Sequence, residues 1–217
     1  MRLLLLAGLA TALPVLAEPT LFYSKSFPGS TPAYVSIELQ HDGQCVYKEA
    51  PDDEQPVKFK IAPEEAAEMY ALAAKLEHFE RKLESGLKVA FMGEKTFRWI
   101  DSGKESEQKF NYSQDEDANK LHDWFEKLTQ TEQLFFGLER TVRFDKLGVH
   151  KAILQLEAAW DRKRLVAIDQ FLPLLDRVTK NSSYLNMARE RAAALAEVFR
   201  APKASAPAEA AAGAAKP

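Results

Sequence analysis

The sequence predicts an α+β fold, in which a small mixed-sheet domain with two packing helices is followed by an all-helical C-terminal extension. Between residues 21 and 61, apolar side chains recur at every second position, which is the period of a β-strand. After residue 129 they recur every three or four positions, which is the period of a helix. We therefore expect the mixed domain to cover residues 18–128 and the helical extension to cover residues 129–200.

The first 17 residues predict a secretory signal peptide. Arg2 supplies a positive start, residues 3–16 form an apolar run, and Ala17 closes a Val-Leu-Ala tripeptide of the kind that signal peptidase recognises. The run is too short to span a bilayer comfortably, and no later stretch approaches the roughly 20 apolar residues of a transmembrane helix. We therefore expect cleavage between Ala17 and Glu18, no transmembrane segment, and an exported protein that is periplasmic or secreted.

Three strands and a helix are predicted in the first part of the mixed domain. Residues 35–39 alternate between apolar and polar, Asp42-Gly43 favours a tight turn, and residues 45–48 run back as a second strand. Alternation resumes over residues 57–61 as a third strand. Pro63 and the two glutamates that follow it predict a helix start, because proline suits the first turn and carboxylates interact favourably with the helix dipole.

A hairpin and a second helix complete the predicted domain. Residues 96–101 and 107–112 predict two strands joined by a polar turn, each with aromatic side chains on one face. Ser113 and Glu116 match a capping box, in which the hydroxyl and the carboxylate each accept a hydrogen bond from an otherwise unpaired backbone N–H. The helix that they open is expected to end near Leu128.

The extension is predicted to contain further amphipathic helices. A second possible capping box at residues 129–132 precedes an apolar row with nearly seven-residue spacing over residues 138–160, in which Asp145 and Gly148 are weak points. Two more helices are expected over residues 168–178 and 187–199. Residues 201–217 are almost wholly Ala, Pro, Lys, Ser, Glu and Gly, so we predict a disordered tail with nothing to bury.

Four structural motifs follow one another along the predicted mixed domain. They are the strand Tyr34-Val35-Ser36-Ile37, the turn Asp42-Gly43, the return strand ending at Tyr47, and the helix start Pro63-Glu64-Glu65. With the later hairpin and closing helix, residues 34–128 resemble a family of small exported bacterial α+β domains of unknown function. The resemblance implies a fold and bacterial export but no chemistry.

The C-terminal helices carry a second resemblance. Phe171-Leu172-Pro173-Leu174-Leu175, followed by a polar turn and then residues 189–196, is similar to one HEAT-type helical pair at about residues 168–199. A solenoid needs several stacked repeats for stability, and one pair is found. We therefore expect a helical hairpin that shares this packing pattern.

Composition narrows the classes of partner. The chain has 29 Lys and Arg against 32 Asp and Glu, for a net charge of −3. This balance disfavours nucleic acid as a partner, because its phosphates require concentrated positive charge.

The lone thiol, Cys45, lies within a predicted strand and has no cysteine partner in the chain. We expect it to be a small buried hydrophobe, with a reactive nucleophile or intermolecular pairing as the alternatives.

The sequence contains no recognisable catalytic, cofactor or metal motif. No nucleophile elbow, phosphate-binding glycine loop or dinucleotide fingerprint occurs. The four histidines lack the spacing of a zinc helix, and two acidic clusters lack the glycine-punctuated pattern of a calcium loop. We therefore expect no catalytic residue, no cofactor and no metal site. The side chains considered are His41, His78, His122, His150, Asp52-Asp53-Glu54 and Asp115-Glu116-Asp117.

Three features are candidates for binding a partner. The first is an aromatic group on or beside the predicted hairpin, Phe91, Phe97 and Trp99, which would form a ligand platform or a strand-addition edge if one sheet face stayed uncovered. The second is the basic stretch Arg162-Lys163-Arg164, which can dock an acidic partner. The third is self-association through the near-heptad helix at residues 138–160.

The leading functional hypothesis is a non-catalytic exported binding or scaffold protein of the cell envelope that engages protein or peptide. It predicts a contiguous exposed apolar patch. The alternative is a secreted hydrolase acting on envelope polymers or peptides. That alternative predicts a deep pocket with two carboxylates, or Cys45 beside a histidine.

Overall fold

A computed structural model of the chain describes residues 18–201, which form two compact units that divide after Thr129. The predicted signal segment with its cleavage position at Ala17, and the predicted tail beyond Ala201, lie outside the described residues. The α+β class is confirmed, with a six-stranded antiparallel sheet in unit 1 and a helical C-terminal region.

The sheet of unit 1 contains one more strand before the first helix than the sequence analysis counted. The missed strand, β1, runs from Thr20 to Ser26 and lies at the centre, in the order β4-β3-β2-β1-β5-β6. It was not separated because Leu21, Phe22 and Tyr23 are consecutive and apolar, so the alternation is hidden. The other strands are β2 (Tyr34–Gln40), β3 (Gln44–Lys48), β4 (Val57–Lys60), β5 (Glu94–Asp101) and β6 (Lys104–Phe110).

One face of this sheet is covered by two helices. The first, α1 (Pro63–Lys75), begins at the predicted proline, and the Tyr70 hydroxyl on it donates hydrogen bonds to the carbonyl oxygens of Pro19 and Leu39. The second, α2 (Glu116–Phe144), places the Phe125 ring against that of Tyr23, with centroids 4.6 Å apart. The core therefore lies between the sheet and these helices, and Leu21, Tyr23, Ile37, Leu39 and Phe97 are all fully buried there.

Both predicted capping boxes are wrong. Since α2 begins at Glu116, that carboxylate is already in the first turn, and Asp115 caps the helix instead by accepting a hydrogen bond from the backbone N–H of Ala118 at 3.0 Å. At residues 129–132 the helix continues without interruption. Thr131 is fully buried in unit 2, and its hydroxyl accepts a hydrogen bond from the backbone N–H of Val166 at 3.2 Å.

Unit 2 consists of the second part of α2, α3 (Val149–Asp161), a 3-10 turn at Ile168–Phe171, α4 (Leu172–Lys180) and α5 (Asn186–Arg200). The single helix predicted over residues 138–160 is wrong. The chain breaks at residues 145–148, where the Asp145 carboxylate accepts a hydrogen bond from the backbone N–H of Gly148 at 3.0 Å. The near-heptad side chains, which we expected to mediate self-association, lie in the unit's own core: Leu138, Val142, Val149, Ile153 and Leu156.

A buried carboxyl group lies in the core of unit 2. Glu132 is fully buried; its Oε1 accepts a hydrogen bond from Gln170 at 2.9 Å, whereas Oε2 has no hydrogen-bond partner among the described residues. Burial raises the pKa of Glu132 to about 7, because the charged form loses its hydration. The neutral carboxyl is therefore the form that the folded unit favours.

We expect Glu132→Gln to stabilise the protein at pH 8 and to leave it unchanged at pH 4. Because the pKa of Glu132 is raised in the folded state, its contribution to folding stability is fully present below the ordinary pKa of 4.5. That contribution is lost as the pH rises to about 7. The shift sets an upper limit of about 3 kcal/mol on the gain in unfolding free energy at pH 8. Urea unfolding at both pH values measures it, with the exposed Glu190→Gln as control. An equal effect of Glu132→Gln at both pH values would contradict the assignment.

Candidate binding site

An exposed apolar segment in unit 1 is the most conspicuous surface feature of the described residues. It comprises residues 87–92, Leu-Lys-Val-Ala-Phe-Met, which we call the apolar segment. Leu87, Val89, Phe91 and Met92 are 50%, 41%, 56% and 44% exposed. Single exposed apolar residues are ordinary, but four on one short loop form a continuous apolar stretch of the kind that occurs at interaction sites.

The apolar segment is held in place by Asn111 at the end of β6. The Asn111 side-chain oxygen accepts a hydrogen bond from the backbone N–H of Met92 at 2.7 Å, and its amide nitrogen donates to the carbonyl oxygen of Ala90 at 3.0 Å. At its start, the backbone N–H of Ser85 donates to the carbonyl oxygen of Tyr112 at 2.9 Å. The exposed side chains are thus carried on a backbone whose position is fixed.

A glycine and two aromatic rings anchor the end of the segment. Gly93 has φ +93°, and a Cβ there would lie 3.1 Å from that of Phe27 and 3.2 Å from the carbonyl oxygen of Ser26, so a side chain is strained. The ring of Phe91 meets that of Phe27 edge-on at 5.9 Å between centroids. Phe91 therefore remains half exposed while one edge of its ring is packed.

A cavity of about 330 Å³ adjoins the apolar segment. Met92 lines it, together with side chains from β1, β5 and α2, namely Lys25, Lys95, Asn119 and His122. Its volume falls at the lower end of the range for small-ligand sites. Two lysines in one cavity give it a positive electrostatic character.

A polar network closes one side of this cavity. The Tyr23 hydroxyl donates to the Glu126 carboxylate at 3.1 Å and lies 3.3 Å from His122 Nδ1, while Lys25 Nζ forms an ion pair with Glu126 at 3.1 Å. Burial lowers the pKa of His122 to about 4 and raises that of Tyr23, so both rings are neutral at ordinary pH. Glu126 therefore balances one lysine, and the histidine adds no charge.

The second lysine is buried. Lys95 is 5% exposed, and its Nζ donates to the carbonyl oxygens of Gly93 at 3.1 Å and Asn111 at 2.7 Å. Among residues 18–201, no carboxylate lies within ion-pair distance of it. Desolvation, and then the nearby charge of Lys25, lower the pKa of Lys95.

Another cavity, of about 510 Å³, lies at the opposite end of β5. The His78 ring packs on Trp99 with centroids 4.3 Å apart, and the hydroxyl of Ser106 donates to the carbonyl oxygen of His78. Three successive residues, Glu77–Phe79, have φ values of 54°, 49° and 67°, a left-handed turn that costs about 1–2 kcal/mol per residue. Burial of Phe79 against Phe97, at 5.2 Å between centroids, opposes this cost.

The structure separates the three aromatic residues that were expected to act together. Phe91 is exposed on the apolar segment, Trp99 lines the second cavity, and Phe97 is fully buried in the core. The expectation for Phe97 is wrong, because the helices cover the sheet face on which it lies. The expected uncovered aromatic row is therefore absent from the described hairpin.

The basic stretch and the cysteine occupy ordinary structural positions. Arg162 and Lys163 are exposed at the C-terminal end of α3, where positive charge suits the helix dipole, and Arg164 donates to Gln130 at 3.2 Å. Cys45 is 1% exposed on β3, and its sulfur lies 3.6 Å from the carbonyl oxygen of Gly43. A substrate has no direct access to this thiol.

Sequence reasoning missed the charged residues of the first cavity. Lys25 and Lys95 are 70 positions apart in the sequence but are Cα partners in the register of β1 and β5. One indication is present in the sequence. Lys95, Phe97 and Trp99 share one face of the strand at two-residue spacing, so the lysine lies on the same side as the two aromatic residues that face inward. Without the register of β1, nothing indicated that a second lysine would lie opposite.

Comparison with protein-family models and with curated proteins finds no match to this sequence. Within residues 18–201, no helix has both the length and the apolar character needed to cross a membrane. The same residues contain no group of three or more His, Cys, Asp or Glu side chains arranged to hold a metal ion.

We expect Asn111→Ala to loosen the apolar segment while the sheet remains folded. The substitution removes two hydrogen bonds, each contributing about 0.5–1.5 kcal/mol, so local opening should become at least about fivefold more frequent. Limited trypsin digestion should then cut faster after Lys88, and hydrogen exchange at the Met92 amide should accelerate. Asn186→Ala, which removes one exposed side-chain bond in unit 2, is the control. Unchanged cleavage and exchange in Asn111→Ala would show that Asn111 does not hold the segment.

Proposed function

We propose that this chain is a non-catalytic, exported binding protein that takes up a peptide, or a segment of another protein, on the apolar segment. The observation that carries the proposal is the combination of four half-exposed apolar side chains with a backbone fixed by Asn111. A preorganised surface loses little conformational entropy on binding, so more of the contact energy is retained as affinity.

Contact through side chains fits this unit better than strand addition. The edge strand β6 reads Lys-Glu-Ser-Glu-Gln-Lys-Phe, and four of its residues are charged. The other edge strand, β4, is short and carries Lys58 and Lys60. Charged and short edges oppose pairing with another chain. The apolar segment, in contrast, contains one charge, Lys88.

The hydrolase alternative would use the cavity around Trp99. Glu80, Asp101 and Glu105 line it beside an aromatic ring, a combination that can hold a sugar or a cationic group. We place it second because all three carboxylates are exposed, whereas catalytic acids are tuned by burial and close partners.

Peptide selection tests the proposal. From a displayed library of random peptides with free carboxyl termini, the wild-type protein should select apolar sequences. Phe91→Ser should weaken their binding by about tenfold, the usual cost of removing an aromatic anchor. Leu185→Ser is the matched control, since Leu185 is 45% exposed in unit 2. The proposal fails if no peptide is selected, or if Phe91→Ser and Leu185→Ser bind the selected peptides alike.

Export is supported by the leader-like sequence of the first 17 residues. Mass spectrometry of the protein from its native source should find Glu18 as the first residue, in the periplasm or the medium. Recovery of the chain with Met1 intact from the cytosol would contradict export. That result would leave the binding proposal to be judged by peptide selection alone.

A further inference from the structure

We propose that the cavity beside the apolar segment is an oxyanion subsite, in which Lys95, with Lys25 as the outer cation, binds a carboxylate of the ligand. This inference deepens the proposed function and rests on it for the identity of the ligand. The subsite is defined by the Lys95 and Lys25 ammonium groups, by Asn119 and His122 from α2, and by Met92, which belongs to both the cavity and the apolar segment.

The first argument is the balance of charge. Lys95 is nearly fully buried, and the two groups that accept its hydrogen bonds are neutral backbone carbonyls. Buried charges in proteins are normally paired, because removal from water is costly. Glu126 is the nearest acid on α2, and its Oε1 accepts from both Lys25 and Tyr23. The side chains that line the cavity therefore include two lysines and no carboxylate, and of these two lysines only Lys25 has an ion-pair partner among residues 18–201.

The second argument is hydrogen-bonding capacity. A lysine ammonium has three donors, and Lys95 uses two of them in its hydrogen bonds to the carbonyl oxygens of Gly93 and Asn111. The third donor has no hydrogen-bond acceptor among residues 18–201, and the ammonium group also lies 5.9 Å from the centroid of the Phe110 ring, which lines the cavity as well. Hydrogen bonds between a buried ammonium and an oxyanion are about twice as strong as those between neutral groups. The other titratable groups that act on Lys95 are Lys25, Glu126 and Glu84, and Glu84 is engaged with the backbone N–H of Asn111 at 2.6 Å.

The third argument is continuity with the apolar segment. Met92 is half exposed on that segment and lines the cavity as well, so the two surfaces meet at one side chain. A peptide that lays apolar side chains over residues 87–92 can therefore end with its terminal carboxylate at Lys95. An acidic side chain or free phosphate presents the same oxyanion chemistry, and these sources are separated by experiment.

The test uses two kinds of probe on the full chain. The first is acetate and, separately, inorganic phosphate, followed through the NMR signal of the Lys95 ε-methylene group, assigned by its loss in Lys95→Met. The second is a set of three peptides: acetyl-Leu-Val-Phe with a free carboxylate, its C-terminal amide, and acetyl-Leu-Val-Phe-Asp amide. The exposed Lys58→Met is the matched control on β4. Should Lys95→Met fail to fold, Lys25→Met serves as the second variant.

In the wild type and in Lys58→Met, we expect the peptide with the free carboxylate to bind at least tenfold more tightly than its C-terminal amide. In Lys95→Met, we expect the two peptides to bind with equal affinity. Tight binding of the aspartyl amide would instead identify an acidic side chain as the source of the bound oxyanion. A response to phosphate alone would identify a free anion as the ligand. Equal binding of the free acid and both amides, with no response of the Lys95 signal to acetate or phosphate, would overturn the subsite while leaving the proposed function intact. If none of the three peptides binds but acetate shifts the Lys95 signal, the subsite stands, and peptide selection alone decides the proposed function. If neither acetate, phosphate nor the free acid moves that signal, the subsite is wrong.

Discussion

Unit 1 depends on the packing of Tyr23 against Phe125. The two rings stack at 4.6 Å with 10° between their planes, and Phe97 lies within 6.0 Å of both. This contact joins the central strand to α2 and thereby fixes the positions of His122, three residues before Phe125, and Glu126, the residue after it. The Tyr23 hydroxyl lies within hydrogen-bond distance of both, so a single side chain connects the apolar core with His122, which lines the cavity. Aromatic residues with a polar end suit such boundaries, because each end can meet a partner of its own kind.

Packing in the core of unit 1 offsets the energetic cost of the cationic cavity. Placing Lys95 inside the unit costs hydration energy, which backbone carbonyls recover only in part. The left-handed turn at Glu77–Phe79 adds backbone strain at the other end of β5. A buried lysine and a strained turn persist where the surrounding packing holds them in place. Phe79 and Phe97 provide such packing and are 1% and 0% exposed. The surface loops of unit 1 can therefore be shaped for binding without being the source of its stability.

Local sequence patterns predicted elements well and register poorly. The proline at the start of α1 and the turn at Asp42-Gly43 are both evident in the sequence, because each depends on a few neighbouring residues. The capping box at Ser113 is wrong because Asp115, two residues later, accepts a hydrogen bond from the backbone N–H of Ala118, and the helix begins at Glu116. The sequence predicts that α2 ends near Leu128 because residues 129–132 match a second capping box, yet Thr131 is buried and its hydroxyl accepts a hydrogen bond from the backbone N–H of Val166. The cavity depends on pairing between β1 and β5, which no local pattern encodes.

The covered face of β5 explains why two cavities of opposite character occur in one small unit. Lys95, Phe97 and Trp99 point to that face at two-residue spacing, so the lysine and the tryptophan lie roughly 13 Å apart. Phe97 between them is locked by packing, and this makes the separation rigid. The lysine end faces a cavity lined by two lysines and no carboxylate, and the tryptophan end faces the carboxylates of Glu80, Asp101 and Glu105 with one lysine, Lys104. Because like charges repel, the electrostatic field of the unit would favour the lysine end for the carboxylate of the proposed ligand.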